Sequence, residues 1–139
     1  MAKDFFRSID YLETRNDVDM ERLGYYSLSM GAYFGPIVVS QEPRIKAAVF
    51  ASGGLRFNYP AEIQPANFAP RVKVPVLLIN GANDFQSPIE AQRRFLELLG
   101  TPPEHRKHVV LEGGHVPNDF RGLVREALDW FDRHLGRVE

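Results

Sequence analysis

The segment Val74 to Asn80 (VPVLLIN) is an almost unbroken apolar run closed by the turn residues Gly81-Ala82-Asn83-Asp84. It is far shorter than the ~18 apolar residues a membrane span needs. A strand apolar on both sides belongs in a parallel sheet covered by helices on each face. Leu23 to Leu28, Ile45 to Ala51 and Lys107 to Leu111 read as three further strands. Helical patterns alternate with them. Phe5, Phe6, Ile9 and Leu12 mark an amphipathic helix over Lys3 to Arg15. Ser29-Met30-Gly31-Ala32 opens a mostly apolar helix to Val39, bent or restarted at Gly35-Pro36 because an interior proline costs ~3 kcal/mol. Ser87-Pro88-Ile89-Glu90 has the pattern of a capping box opening a helix to Leu99, stopped by Gly100. The last helix runs from Asn118 or Asp119 to Leu135, with Phe120, Leu123, Val124, Ala127, Leu128, Phe131 and Leu135 on one apolar face and Gly136 ending it. Leu55 to Pro70 is a loop excursion containing Pro60, Pro65 and Pro70. The expected architecture is a three-layer open α/β sandwich, a parallel sheet of four strands with helices on both faces, in one domain over residues 1–139.

Sites in such sheets gather at the carboxyl ends of the strands. Ser29 follows the first strand, Ser52-Gly53-Gly54 the second, Asp84 the third, and Gly113-Gly114-His115 the fourth. A Ser, an Asp and a His therefore reach one sheet edge in the chain order Ser, Asp, His. Ser27-Leu28-Ser29-Met30-Gly31 has the small-x-Ser-x-Gly form of a nucleophile elbow, with Ser in place of the first Gly. The Met30 backbone N–H, at a helix start, is placed to face a developing oxyanion. His115 is the candidate base for Ser29, and Asp84 the group that holds its tautomer. The absence of cysteine removes thiolate nucleophiles and Cys-based metal sites. A net charge of −1 without a basic block argues against nucleic acid and membrane surfaces as partners.

These residues carry a resemblance. Asp19-Met20-Glu21-Arg22-Leu23-Gly24 before the elbow and Val74 to Gly81 leading to Asp84 resemble α/β hydrolases of the dienelactone-hydrolase and prolyl-oligopeptidase-like type. Arg7 to Arg15 and Leu98 to His105 resemble hydrolase domains fused behind bacterial Ser/Thr protein kinases. The resemblance implies a truncated α/β-hydrolase fold running from the nucleophile elbow to the C-terminal helix, a serine esterase acting on small esters, and no metal or organic cofactor. It also implies further strands before the first one, and a loop, often H-G-G-x, that supplies a second oxyanion donor; this sequence has neither. Two expectations follow: the first strand leaves an open edge through which a homodimer forms, and the alternative to an esterase is a weak or inactive hydrolase-like module that completes its sheet by oligomerisation or with a partner. A signal-peptide pattern is missing from MAKDFFRSID, which predicts a cytoplasmic protein.

The remaining candidates have plainer readings. His105, His108 and His134 read as solvated or dipole-facing histidines, and Trp130 as core edge. Arg93, Arg94, Arg121 and Arg125 read as solvated helix faces, and Tyr25 and Tyr26 as packing residues. Phe57, Tyr59 and Phe68 either line an acyl pocket or only cover the sheet.

Overall fold

The structure is a computed structural model and describes residues 2–56 and 58–138; Phe57 lies outside them. Four strands, β1 (Gly24–Leu28), β2 (Ala47–Ala51), β3 (Val76–Gly81) and β4 (Arg106–Leu111), form one all-parallel sheet in the order β1-β2-β3-β4. The helices are α1 (Ala2–Glu13), α2 (Met30–Val39), α3 (Ile89–Leu98) and α4 (Phe120–Leu135). Each strand thus pairs with its sequence neighbour, and β1 and β4 are the two sheet edges.

β2 and β3 are buried along their whole length, as the unbroken apolar runs required. Their side chains alternate between two cores. Ala48, Phe50, Val76 and Leu78 meet Ile9 of α1, Ala32 and Val39 of α2 and Phe95 of α3. Val49, Ala51, Leu77 and Ile79 meet Leu123, Ala127 and Trp130 of α4. Among the described residues, three helices cover one face and α4 alone covers the other.

Several expectations are corrected. α2 does not restart at Gly35-Pro36 but runs unbroken from Met30 to Val39. Proline removes a single N–H there, and bonding has resumed where the Ser40 N–H donates to the Pro36 carbonyl at 3.1 Å. The capping box at Ser87 does not form. Ser87 is buried, and its hydroxyl donates to the Gly53 carbonyl at 3.0 Å, so Pro88 precedes α3 without a side-chain cap. The excursion after β2 carries three 3₁₀ turns, at Ala61–Ile63, Pro65–Asn67 and Ala69–Arg71. Trp130 is core rather than core edge. Of the apolar face expected on α4, Leu123 and Ala127 are buried, whereas Phe120, Val124 and Leu128 are exposed. Tyr25 packs into the core and Tyr26 faces outward.

Two arginines tie distant segments together. Arg22, just before β1, donates to the carbonyls of Leu135, Gly136 and Arg137, capping α4 from another part of the chain. Arg44, before β2, pairs with Asp10 and Glu13 of α1 and with the buried Glu42 at 2.6 Å. The Arg44 guanidinium holds the Glu42 carboxyl below its ordinary value, with burial opposing it. A carboxyl whose pKa is lower folded than unfolded stabilises the fold above its unfolded value and loses that contribution as the pH falls. The gap in melting temperature between the native chain and Glu42→Gln is therefore wide at neutral pH and narrows below about 4.3, the unfolded Glu value. Thermal melts across that range check it, and a gap that does not change with pH refutes the coupling.

Candidate active site

Ser29 is the hinge between β1 and α2. Its N–H donates to the Ala51 carbonyl at 2.9 Å, continuing the strand pairing, and its carbonyl accepts from the Tyr33 N–H at 2.9 Å, starting the helix. The turn between them forces φ 52° and ψ −111°, a conformation that costs a non-glycine residue roughly 1–3 kcal/mol. Small neighbours make the turn fit. A Cβ on Gly31 would lie 3.1 Å from the Ser27 Cβ, so these two positions abut across the elbow. Serine is small enough at position 27, as the sequence implied. Met30 begins α2, and its N–H is among the first-turn amides that have no intrahelical acceptor.

His115 starts from the opposite sheet edge. Four strands at ~4.8 Å spacing put β4 roughly 14 Å from β1, so the loop after β4 must cross the top of β3. Gly81 at the end of β3 lets it do so: a Cβ there would sit 1.8 Å from the Gly114 carbonyl oxygen and 2.8 Å from that of Gly113. Gly113 itself has φ +127°, which an L side chain rarely adopts. The loop is fastened where the Asn83 N–H donates to the Gly113 carbonyl at 2.9 Å.

The result is a continuous hydrogen-bonded chain. Ser29 Oγ lies 2.7 Å from His115 Nε2, and His115 Nδ1 lies 3.0 Å from both Asp84 oxygens. The Asp84 side chain is fully buried and that of His115 is 14% exposed. Asp84 Oδ1 also accepts from the N–H groups of Gln86 at 2.9 Å and Ser87 at 3.1 Å. Because an ionised carboxylate only accepts, the Nδ1 proton belongs to His115, and Nε2 is left to accept from the Ser29 hydroxyl. The structure brings together the three residues singled out in the sequence, with the Met30 amide beside them.

Sequence reasoning missed the supports of Asp84. Arg56 stacks on the Tyr33 ring of α2 at 4.0 Å and donates to Gln86 Oε1 at 2.9 Å, linking α2 to the loop that carries Asp84. Asn80 and Ser87 both donate to the Gly53 carbonyl, at 2.8 and 3.0 Å. Arg56 and Gln86 lie 30 residues apart with no local pattern to pair them; only the Ser87 signal was visible, and it pointed to a helix cap.

Tyr59 packs on Phe34 of α2 at 4.9 Å, and Phe68 sits under Arg71. His105 and His134 face each other at 6.1 Å beside Trp130, and burial pushes His108 and His134 below the ordinary histidine value. Among the described residues no group of three or more His, Cys, Asp or Glu could hold a metal ion, and no helix is long and apolar enough to cross a membrane.

Known structures share this arrangement of strands. A cold-adapted esterase from an Arctic intertidal metagenomic library is 22% identical with a TM-score of 0.80, over 95% of this chain and 57% of that one. Acylaminoacyl peptidase from Pyrococcus horikoshii is 20% identical with a TM-score of 0.78, over 99% of this chain and 28% of that one. Acetyl xylan esterase 1 from Thermoanaerobacterium is 18% identical with a TM-score of 0.74, over 94% of this chain and 51% of that one. At these identities the likeness is one of fold, and the chain spans between about a quarter and three-fifths of those proteins' lengths. No curated protein sequence matches. The family model for dienelactone hydrolases matches residues 1–111, from α1 to the end of β4, and the chain belongs to the dienelactone hydrolase family.

Proposed function

We propose that this chain is a serine esterase that cleaves small carboxylic esters through an acyl-enzyme on Ser29. The observation that carries the proposal is the unbroken chain Ser29 Oγ, His115, Asp84 at 2.7 and 3.0 Å. Family membership and the esterase folds among the structural neighbours support it. Ser29 Oγ bonds to the ester carbonyl carbon while its proton passes to His115 Nε2. Asp84 accepts the Nδ1–H bond of the resulting imidazolium, and the Met30 N–H faces the oxyanion. Collapse of the tetrahedral intermediate expels the alcohol, which takes the proton from His115. Water then attacks the acyl carbon with His115 as base, releasing the acid and restoring Ser29. No step calls on a metal or organic cofactor.

A second reading is a hydrolase-like module of low activity, and one observation favours it. Met30 is the one oxyanion donor identified among the described residues, and loss of a second typically lowers kcat by about 10²–10³.

Intact-mass measurement after incubation with a fluorophosphonate probe separates the two. One adduct, mapped to Ser29 and absent from Ser29→Ala and His115→Ala, is the expected result. A folded chain that takes up no probe refutes an activated nucleophile and leaves the inactive module.

A further inference from the structure

Apolar surface and unpaired backbone converge on one side of the molecule. Among the described residues β1 has no neighbour on its outer edge. Exposed edges are usually guarded by charge, and β4 carries Arg106 and Lys107, but Gly24-Tyr25-Tyr26-Ser27-Leu28 carries none. On the face covered by α1 and α2, a hollow of about 160 Å³ beside β1 is lined by Phe5, Met30, Phe34 and Val38. On the other face Phe120, Val124 and Leu128 form a stripe along α4 and are 63, 37 and 58% exposed. The stripe borders the same edge, since Leu128 and Phe131 share a surface hollow with Leu23 and Gly24. Single exposed apolar residues are ordinary, but a continuous set rimmed by charge marks an interface.

The charges beside the stripe identify the occupant. Arg121 and Arg125 flank its first half, and Asp129 and Asp132 its second. Arg121, Arg125 and Asp129 have no ion-pair partner among the described residues, and Asp132 meets only the exposed Arg137, at 3.8 Å. This order is complementary to itself when reversed. We propose that a second copy of this chain covers this side, its α4 antiparallel to the first about a two-fold axis. Val124 then packs on Leu128 of the partner subunit, Arg125 meets the partner's Asp129, and Arg121 meets the partner's Asp132. These pairs share one centre along the helix to within a residue, whereas a parallel arrangement would set arginine against arginine. The contact is isologous, the same stripe and the same charges meeting themselves across the axis.

Sedimentation velocity on the full chain at micromolar concentration tests this, with circular dichroism to confirm folding. The expected species is a dimer. Reversing Arg121 and Arg125 to Asp in one variant, and Asp129 and Asp132 to Arg in another, weakens each homodimer at least about tenfold, because like charges then face each other. An equimolar mixture of the two variants restores a 1:1 dimer. A monomeric native chain overturns the proposal and assigns the side to another segment or protein. Dimers indifferent to both reversals, or a mixture that stays monomeric, overturn the α4 register.

Discussion

Asp84→Asn lowers kcat/KM on a small ester by about 10⁴-fold and leaves the fold intact. The size of the loss follows from how the carboxylate is held. Asp84 Oδ1 accepts two backbone N–H groups, from Gln86 and Ser87. An asparagine keeps those bonds only by placing its amide oxygen there, which turns its NH₂ toward His115. An NH₂ donates, and at the 3.0 Å of the oxygen it replaces it opposes the Nδ1 proton and favours the tautomer with the ring proton on Nε2. In that tautomer Nε2 no longer accepts from Ser29, although every heavy atom stays within bonding distance. Steady-state kinetics with a thermal melt check this. Activity within tenfold of the native chain would mean that Asp84 only fastens the loop.

Gly81→Ala damages stability and site together. The added Cβ would lie 1.8 Å from the Gly114 carbonyl oxygen, a backbone atom with no rotamer to yield. Overpacking of this kind costs about 3 kcal/mol, and what moves to relieve it is the loop that carries His115. A displacement of ~1 Å there costs about 10² in rate. Denaturant titration and fluorophosphonate labelling rate read the two losses separately. An alanine variant of native stability would show that the loop takes another path over β3.

The patterns that could be read from the sequence were the local ones. VPVLLIN announced a strand buried on both sides, and the small residues around Ser29 announced a strained turn, because each is encoded within a few positions. Ser29, Asp84 and His115 could be aligned because topology places strand ends together whatever the loops do. Ser87 misled because a buried hydroxyl aimed at Gly53 has the same sequence as a helix cap. The face of α4 misled for another reason. Periodicity tells which residues share a side but not how wide a strip the sheet covers, so Phe120, Val124 and Leu128 looked like core. Arg22 on the end of α4 and Arg56 on Gln86 were invisible, since contacts made 113 and 30 residues apart leave no local trace.

The crossing of the His115 loop over β3 also orders events in time. Ser29 and His115 are 86 residues apart and follow the first and last strands of the sheet. Their 2.7 Å contact cannot exist until β1, β2, β3 and β4 are all in register, and such long-range closures come late in folding. A nascent chain or a partly assembled sheet therefore has hydrophobic cores to gain before Ser29 meets His115. On the proposed function, reactivity at Ser29 arises only with the last strand, so the onset of probe labelling times the completion of the fold.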